Sequence, residues 1–136
     1  AAEYANNLPL SKTIKIRNAF EKEIKSCFSE VKIIGEKLAR LPNTTMLSIP
    51  GIPSETLVIA LDIEGFQISA GSACSSGKVG PNRVLEAMGV KKSISNSAIR
   101  ISLGLYNNIS EAKKFRKTME KIYKRSLNNR CLGEVN

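Results

Sequence analysis

The chain contains no histidine, and its three cysteines, Cys27, Cys74 and Cys131, lie far apart. A Cys-His or Ser-His catalytic pair is therefore excluded, and so are the common zinc sites, which need closely spaced cysteines and histidines. We expect no metal site. An odd number of scattered cysteines favours free thiols in a reducing compartment. Without histidine, a reactive thiol has to be activated by a lysine, an arginine, a backbone dipole or a bound cofactor.

Long apolar segments are missing as well. No apolar run approaches the roughly 20 residues of a transmembrane helix, and the first residues lack the basic and then apolar order of a signal peptide. We therefore expect a cytoplasmic protein with no membrane partner. The 136 residues are 42% hydrophobic and 24% charged, which is typical of one compact globular domain.

Acidic residues are too few to balance the basic ones. Twelve acidic residues stand against 21 basic residues, which gives a formal charge of +9, and the basic residues are densest between positions 113 and 130. Such an excess can attract nucleic acid or acidic proteins. The basic residues alternate with an apolar helical stripe and not with exposed aromatics, so a solvated helix face is favoured over a binding module.

One segment, residues 69–80, consists almost entirely of glycine, alanine and serine, with Cys74 near its middle. Small residues cannot pack such a segment down, so a thiol there can be presented to a substrate. This composition favours a chemical role for Cys74, although an incidental cysteine in a linker would give the same pattern. Lys78 is the nearest cation, but a solvated loop lysine is the commoner case, and we assign it no catalytic role.

The periodicity of apolar residues predicts helices and strands in alternation. An amphipathic helix is expected from Ser11 to about Phe28, with Cys27 as a small buried hydrophobe, and a last helix after the cap Ser110. Shorter helices are expected after the cap Ser54 and after Gly80, the latter burying Val84, Leu85 and Met88. Strands are expected at 31–34, 44–49, 66–69 and 97–103.

The strand at 97–103 isolates Arg100. Ile99, Ile101 and Leu103 point to one face, so Arg100 points to the other between two small neighbours. A guanidinium in that position can bind an anionic ligand, or it can pair with a carboxylate of a helix. The sequence alone leaves both alternatives open.

Three ordered segments resemble the cysteine desulfurases, pyridoxal-phosphate enzymes related to the class V aminotransferases. They are ISAGSACSSG at 68–77, GPNRVLEAMG at 80–89 and AIRISLG at 98–104, and the resemblance extends from about residue 11 to residue 123. It implies that Cys74 matches the family's persulfide-forming cysteine and that Arg100 matches the arginine that binds the substrate carboxylate. It also implies L-cysteine as substrate, L-alanine as product and a homodimeric full-length enzyme. Iron–sulfur cluster scaffolds and proteins of thiolation pathways would be the sulfur acceptors.

The family's larger preceding domain, with its cofactor-binding lysine and neighbouring histidine, has no counterpart here. We therefore expect residues 1–10 to be the end of that domain or a connector, 11–127 to be the small domain and 128–136 to be a flexible tail. The expected fold is a two-layer α+β sandwich, the small domain of a fold-type I enzyme, with helices on one face of a mainly antiparallel sheet. The other face should be unusually apolar.

The resemblance also limits what these residues can do alone. We expect them neither to bind pyridoxal phosphate covalently nor to release alanine from cysteine, since the lysine that would carry the cofactor is absent. Two alternatives stay open. The chain could be a stand-alone sulfur-carrier or thiol module, or it could be a basic module that binds RNA or an acidic protein.

Overall fold

A computed structural model describes residues 10–71, 82–104 and 106–133, with side chains described to residue 129. Five helices and four strands form within these ranges. The helices are α1 (Leu10–Cys27), α2 (Ser54–Ile63), α3 (Arg83–Ala87), α4 (Lys92–Ser95) and α5 (Ile109–Gly133). The strands are β1 (Lys32–Ile33), β2 (Thr44–Ser48), β3 (Ser69–Ala70) and β4 (Ala98–Ser102).

The four strands form one antiparallel sheet in the order β1-β2-β4-β3. Ile99 and Ile101 of β4 pair with Leu47 and Thr45 of β2, and all four are buried. Helices α1, α2 and α5 cover this face and complete a single core. The predicted α+β fold, with a small antiparallel sheet packed against helices, is confirmed.

Aromatic contacts fix how the two long helices lie. The rings of Phe20 and Phe115 are 5.7 Å apart, and those of Phe28 and Tyr123 are 5.3 Å apart. The second contact lies eight residues later in the chain on both sides, with Phe28 directly after the end of α1, so α1 and α5 run side by side in the same direction. Phe115 is 1% exposed and also contacts Phe66 at 5.3 Å, which makes it the centre of the helix layer.

A buried ion pair joins α1 to the sheet. Arg40 donates to both carboxylate oxygens of Glu21, at 2.6 and 3.3 Å, and the Thr45 hydroxyl donates to the same carboxylate at 2.7 Å. The side chains of Glu21 and Arg40 are only 9% and 15% exposed. Since Thr45 lies on β2 and Arg40 just before it, this carboxylate holds three parts of the chain in register.

The two predicted serine caps are wrong. Helix α2 has Pro53 at its N-cap without a side-chain hydrogen bond, and Ser54 is already its first helical residue. At α5, the Asn108 side chain accepts hydrogen bonds from the amides of Ser110 and Glu111, at 3.0 and 3.3 Å. An asparagine oxygen can accept hydrogen bonds from these amides as well as a serine hydroxyl can. The sequence alone therefore does not show which of two neighbouring residues is the N-cap.

Two further expectations differ from the structure. The helix after Gly80 was expected to bury Val84, Leu85 and Met88, but Val84 and Met88 are 68% and 50% exposed and only Leu85 is buried. Helix α3 has little more than one helical turn, and only one of its sides faces the interior. Helix α5 continues to Gly133, so residues 128–133 are helical where a flexible tail was expected. It contains no proline, and its only glycine is Gly133. Of the expected connector at 1–10, Leu10 begins α1 and residues 1–9 lie outside the described residues, as do residues 134–136.

Candidate functional site

Arg100 lies in the middle of the sheet, on the face opposite the three packed helices. Its register partners are Met46 on β2 and Ser69 on β3. It is exposed, while Ile99 and Ile101 on either side are buried. The alternation predicted from the sequence therefore places the guanidinium where a ligand can reach it from outside the sheet.

The residues around Arg100 are mostly polar, so the expectation of an apolar outer face is wrong. The strand register puts the following residues on this face: Lys32, Thr44, Met46, Ser48, Ser69, Ala98, Arg100 and Ser102. Ser48 and Ala98 are nevertheless buried, and the Ser48 hydroxyl donates a hydrogen bond to the Ile94 carbonyl of α4 at 2.7 Å. The open part of the face is a polar surface with Arg100 at its centre.

Arg100 has no carboxylate partner within the described residues. The ion pairs found there use Arg17, Lys25, Arg40, Arg116, Lys121 and Arg125 as cations. The glutamates of α1 and the half-buried Glu120 of α5 lie in the helix layer, on the other side of the sheet. The alternative in which Arg100 pairs with a helix carboxylate therefore finds no support in the described part of the chain.

Cys74 and Lys78 lie outside the described residues, but both flanks of their segment are described. The Gly71 amide donates to the Ala98 carbonyl at 3.0 Å, which continues the pairing of β3 with β4. At the other flank, Asn82 caps α3, accepting hydrogen bonds from Val84 and Leu85 at 3.2 Å each. The segment with Cys74 therefore starts on the strand beside Arg100.

The two flanks touch each other at Gly71 and Asn82. A Cβ atom at Gly71 would lie 2.8 Å from Nδ2 of Asn82 and 3.4 Å from Cβ of Ala98. Contacts below 3 Å would force a shift, so a side chain at this position would have to displace the Asn82 amide. Asn82 is 6% exposed, and its Nδ2 finds no acceptor in the part of the chain that the structure describes.

Cys27 packs against the core as expected, but its environment is more polar than expected. It is half-buried, and Nη1 of Arg116 lies 3.1 Å from its sulfur. Arg116 also pairs with Glu23 at 3.1 Å and with Glu120 at 2.7 Å. The hydrogen bond to Cys27 is the main cause that raises the pKa of Arg116, while the proximity of Cys27, together with the charges of Arg116 and Lys124, lowers the pKa of Glu120. This polar cluster was missed because Arg116 is 89 positions away in sequence, and it lies in the helix layer, away from Arg100.

A groove of about 370 Å³ lies between α2 and α5, lined by Pro53, Thr56 and Ala60 on one side and by Ile122 and Arg125 on the other. It contains neither Arg100 nor a cysteine. Among the side chains described, in residues 10–71, 82–104 and 106–129, no cluster of acidic or cysteine groups is arranged to hold a metal ion. Of the helices described, none is both long and apolar enough to cross a membrane.

Comparison with known proteins shows the family. The model of the aminotransferase class-V family matches residues 1–115, so the chain belongs to that family. It is 35% identical over 97 residues to cysteine desulfurase IscS of Dictyoglomus turgidum, covering 71% of this chain and 25% of that protein. It is 30% identical over 116 residues to a cysteine desulfurase of Trichormus azollae, covering 85% of this chain and 29% of the relative.

Solved structures give the same result. A NifS-like protein from Rickettsia africae superposes with a TM-score of 0.72 at 32% identity, covering 85% of this chain and 29% of that one. The relatives named here are cysteine desulfurases, and the chain spans 25–29% of their length. The resemblance seen in the sequence is therefore confirmed at the level of the family and of the fold.

Proposed function

We propose that this chain is the part of a cysteine desulfurase that binds the substrate carboxylate and receives the sulfur. Arg100 would bind the carboxylate of L-cysteine, and Cys74 would accept the sulfur atom as a persulfide, leaving L-alanine. In this transfer the carbon–sulfur bond of cysteine breaks, the carbon gains a proton, and a sulfur–sulfur bond forms on Cys74. The observation that carries the proposal is Arg100, which is exposed, has no carboxylate partner among the described residues and lies beside the strand from which the Cys74 segment starts.

The chemistry of the two side chains suits these roles. A guanidinium offers two parallel N–H donors that match a carboxylate, which an ammonium does not. Ser69 is the register partner of Arg100, and Cys74 follows it by five positions. Five residues span at most about 18 Å, so chain length alone keeps the thiol in the neighbourhood of the guanidinium.

Pyridoxal phosphate, on which the family depends, does not fit the described residues. Every described lysine is exposed, whereas a lysine that forms a Schiff base is activated by desolvation or by a neighbouring cation, and the chain has no histidine to stack on the ring. We propose that the cofactor is held by other parts of the full-length protein. These residues alone are then expected to release no alanine from cysteine.

Sulfur acceptors, assembly and location complete the proposal. We propose that the full-length protein passes sulfur to acceptors such as iron–sulfur cluster scaffolds or thiolation proteins. We further propose that it acts as a homodimer in the cytoplasm. Free thiols are consistent with a reducing compartment.

The test of Cys74 uses the chain itself. After incubation with inorganic polysulfide, the intact mass should increase by one sulfur atom, as the Cys74 thiolate attacks a terminal sulfur and a shorter polysulfide leaves. Cys74→Ser should abolish this increase, whereas the matched control Cys27→Ser should keep it. Persulfide formation that survives in Cys74→Ser would refute the assignment.

The test of Arg100 uses the full-length protein. Arg100→Lys keeps the charge but loses the two-pronged geometry, so KM for L-cysteine should rise about tenfold or more, since hydrogen bonds to charged groups contribute about 1.5–3 kcal/mol. Persulfide formation from polysulfide should not change, because it needs no carboxylate. An unchanged KM would contradict the proposed role.

A further inference from the structure

The outer surface of the helix layer carries a set of lysines without acidic partners. We call it the lysine face, and it consists of Lys15 and Lys22 on α1 and Lys113, Lys117 and Lys124 on α5. All five are exposed, and none takes part in an ion pair within the described residues. Other cations are already neutralised, such as Lys121 by Glu64 at 2.8 Å.

These lysines form one surface because α1 and α5 run side by side. On α5, Lys113, Lys117 and Lys124 are spaced by four and seven residues, which puts them on one side of the helix over about 16 Å. Lys15 and Lys22 are likewise seven residues apart on α1. The acids between the two rows, Glu23 and Glu120, are both paired with Arg116, so they do not cancel the lysines.

The composition of the lysine face distinguishes between possible partners. A stable protein interface needs an apolar centre with aromatic or arginine anchors, and lysine is depleted there. The exposed large apolar side chains nearest in sequence to the lysines are Ile14, next to Lys15, and Leu127, three residues after Lys124; they are 37% and 42% exposed, and neither is aromatic. Phosphates of a nucleic-acid strand need only well-spaced cations, which release counterions on binding.

We propose that the lysine face binds the phosphate backbone of single-stranded nucleic acid, without sequence preference. This inference goes beyond the proposed sulfur chemistry and does not depend on it, because the face lies on the other side of the sheet from Arg100. Five lysine–phosphate contacts predict a slope of about −3.5 for the logarithm of the binding constant against the logarithm of salt concentration.

The experiment measures fluorescence anisotropy of a labelled oligouridine as the protein is titrated at several salt concentrations. In the wild type, the slope should be near −3.5. Lys117→Gln with Lys124→Gln should reduce it by about 1.4, since each contact contributes about 0.7. The matched control is Lys91→Gln with Lys92→Gln, which removes the same charge from exposed positions at the start of α4, on the opposite side of the sheet. The control should keep the wild-type slope.

Three results would overturn the inference. In the first, the control pair reduces the slope as much as the lysine-face pair does. In the second, no salt-dependent binding is found at micromolar to millimolar protein. In the third, poly-glutamate at equal charge concentration displaces the oligonucleotide. The last would show that an acidic polypeptide is the partner. Cys74→Ser should bind as the wild type does, so failure of the sulfur chemistry and failure of this inference are distinguishable.

Discussion

Replacing Glu21 by glutamine tests how the helix layer is attached to the sheet. The substitution keeps the size of the side chain and one acceptor oxygen but removes the negative charge. Arg40, whose side chain is 15% exposed, is then left in the interior without a counter-charge. The Thr45 hydroxyl keeps a partner only if the new amide presents its oxygen.

The expected loss follows from these contacts. Breaking a buried ion pair by removing one partner destabilises by about 3–5 kcal/mol. Glutamine retains a neutral hydrogen bond of about 1 kcal/mol, so we expect the free energy of unfolding to fall by about 2–4 kcal/mol. Urea unfolding followed by circular dichroism measures this as a lower midpoint at an unchanged slope.

The matched control is Glu36→Gln, which breaks the pair of Lys25 with Glu36. Their side chains are 43% and 45% exposed, and such surface pairs contribute about 0–1 kcal/mol. If Glu21→Gln lowers the free energy of unfolding no more than Glu36→Gln does, the Glu21 pair does not fasten α1 to the sheet and the reasoning is wrong.

The same substitution predicts a pH dependence. Burial raises the pKa of Glu21, but hydrogen bonds from Arg40 and Thr45, together with the charges of Arg40 and Arg17, lower it further than burial raises it. The pKa in the folded protein is therefore below the unfolded value of about 4.3. A carboxyl group with a lowered pKa stabilises the folded state fully at pH values above its pKa in the unfolded chain. This stabilisation is lost as the pH falls through its pKa in the folded protein. The stability difference between wild type and Glu21→Gln should be constant near neutral pH and shrink below about pH 4.

Two further substitutions test the flanks of the Cys74 segment and the start of α5. Gly71→Ala should destabilise by about 1–3 kcal/mol in urea unfolding, because its Cβ would lie 2.8 Å from Asn82 Nδ2. Adding Asn82→Ser should recover part of the lost stability, because serine still caps α3 but lacks the amide group. If the double variant is no more stable than Gly71→Ala, the contact between residue 71 and the Asn82 amide is not the cause of the loss. Asn108→Ala should cost about 1 kcal/mol in thermal or urea unfolding, whereas Asn108→Ser should be nearly neutral. Equal losses in both would argue against the cap.

The parts of the fold that depend on local periodicity could be predicted from the sequence. The apolar stripes located α1 and α5 within a few residues at their starts, and alternation along β4 placed Arg100 on the face away from Ile99 and Ile101. Both patterns depend on neighbours within one or two turns, or within one strand. The resemblance of residues 68–104 to cysteine desulfurases supplied the family.

Features that depend on residues distant in sequence could not be predicted. The outer face of the sheet is mostly polar because the register aligns Ser69 with Arg100 and Thr44 with Ser102, and that register is a property of three separate strands. Cys27 was expected to be a buried hydrophobe, but Arg116 reaches it from the neighbouring helix. The assignment of Cys74 stays a prediction, since the residue lies outside the described ranges.

The strand order has a consequence for synthesis on the ribosome. Strand β3 has β4 as its neighbour in the sheet, yet β4 emerges about 30 residues later. Until β4 emerges, no strand connects the β1–β2 hairpin to the segment that leads to Cys74. The hydrophobic side chains of β2 stay partly uncovered during this time, and such exposed surface makes a nascent chain prone to aggregation. Emergence of β4 then joins the two halves and brings Arg100 to the middle of the sheet in the same event, so the surface that we propose to bind a carboxylate cannot form before the sheet is whole.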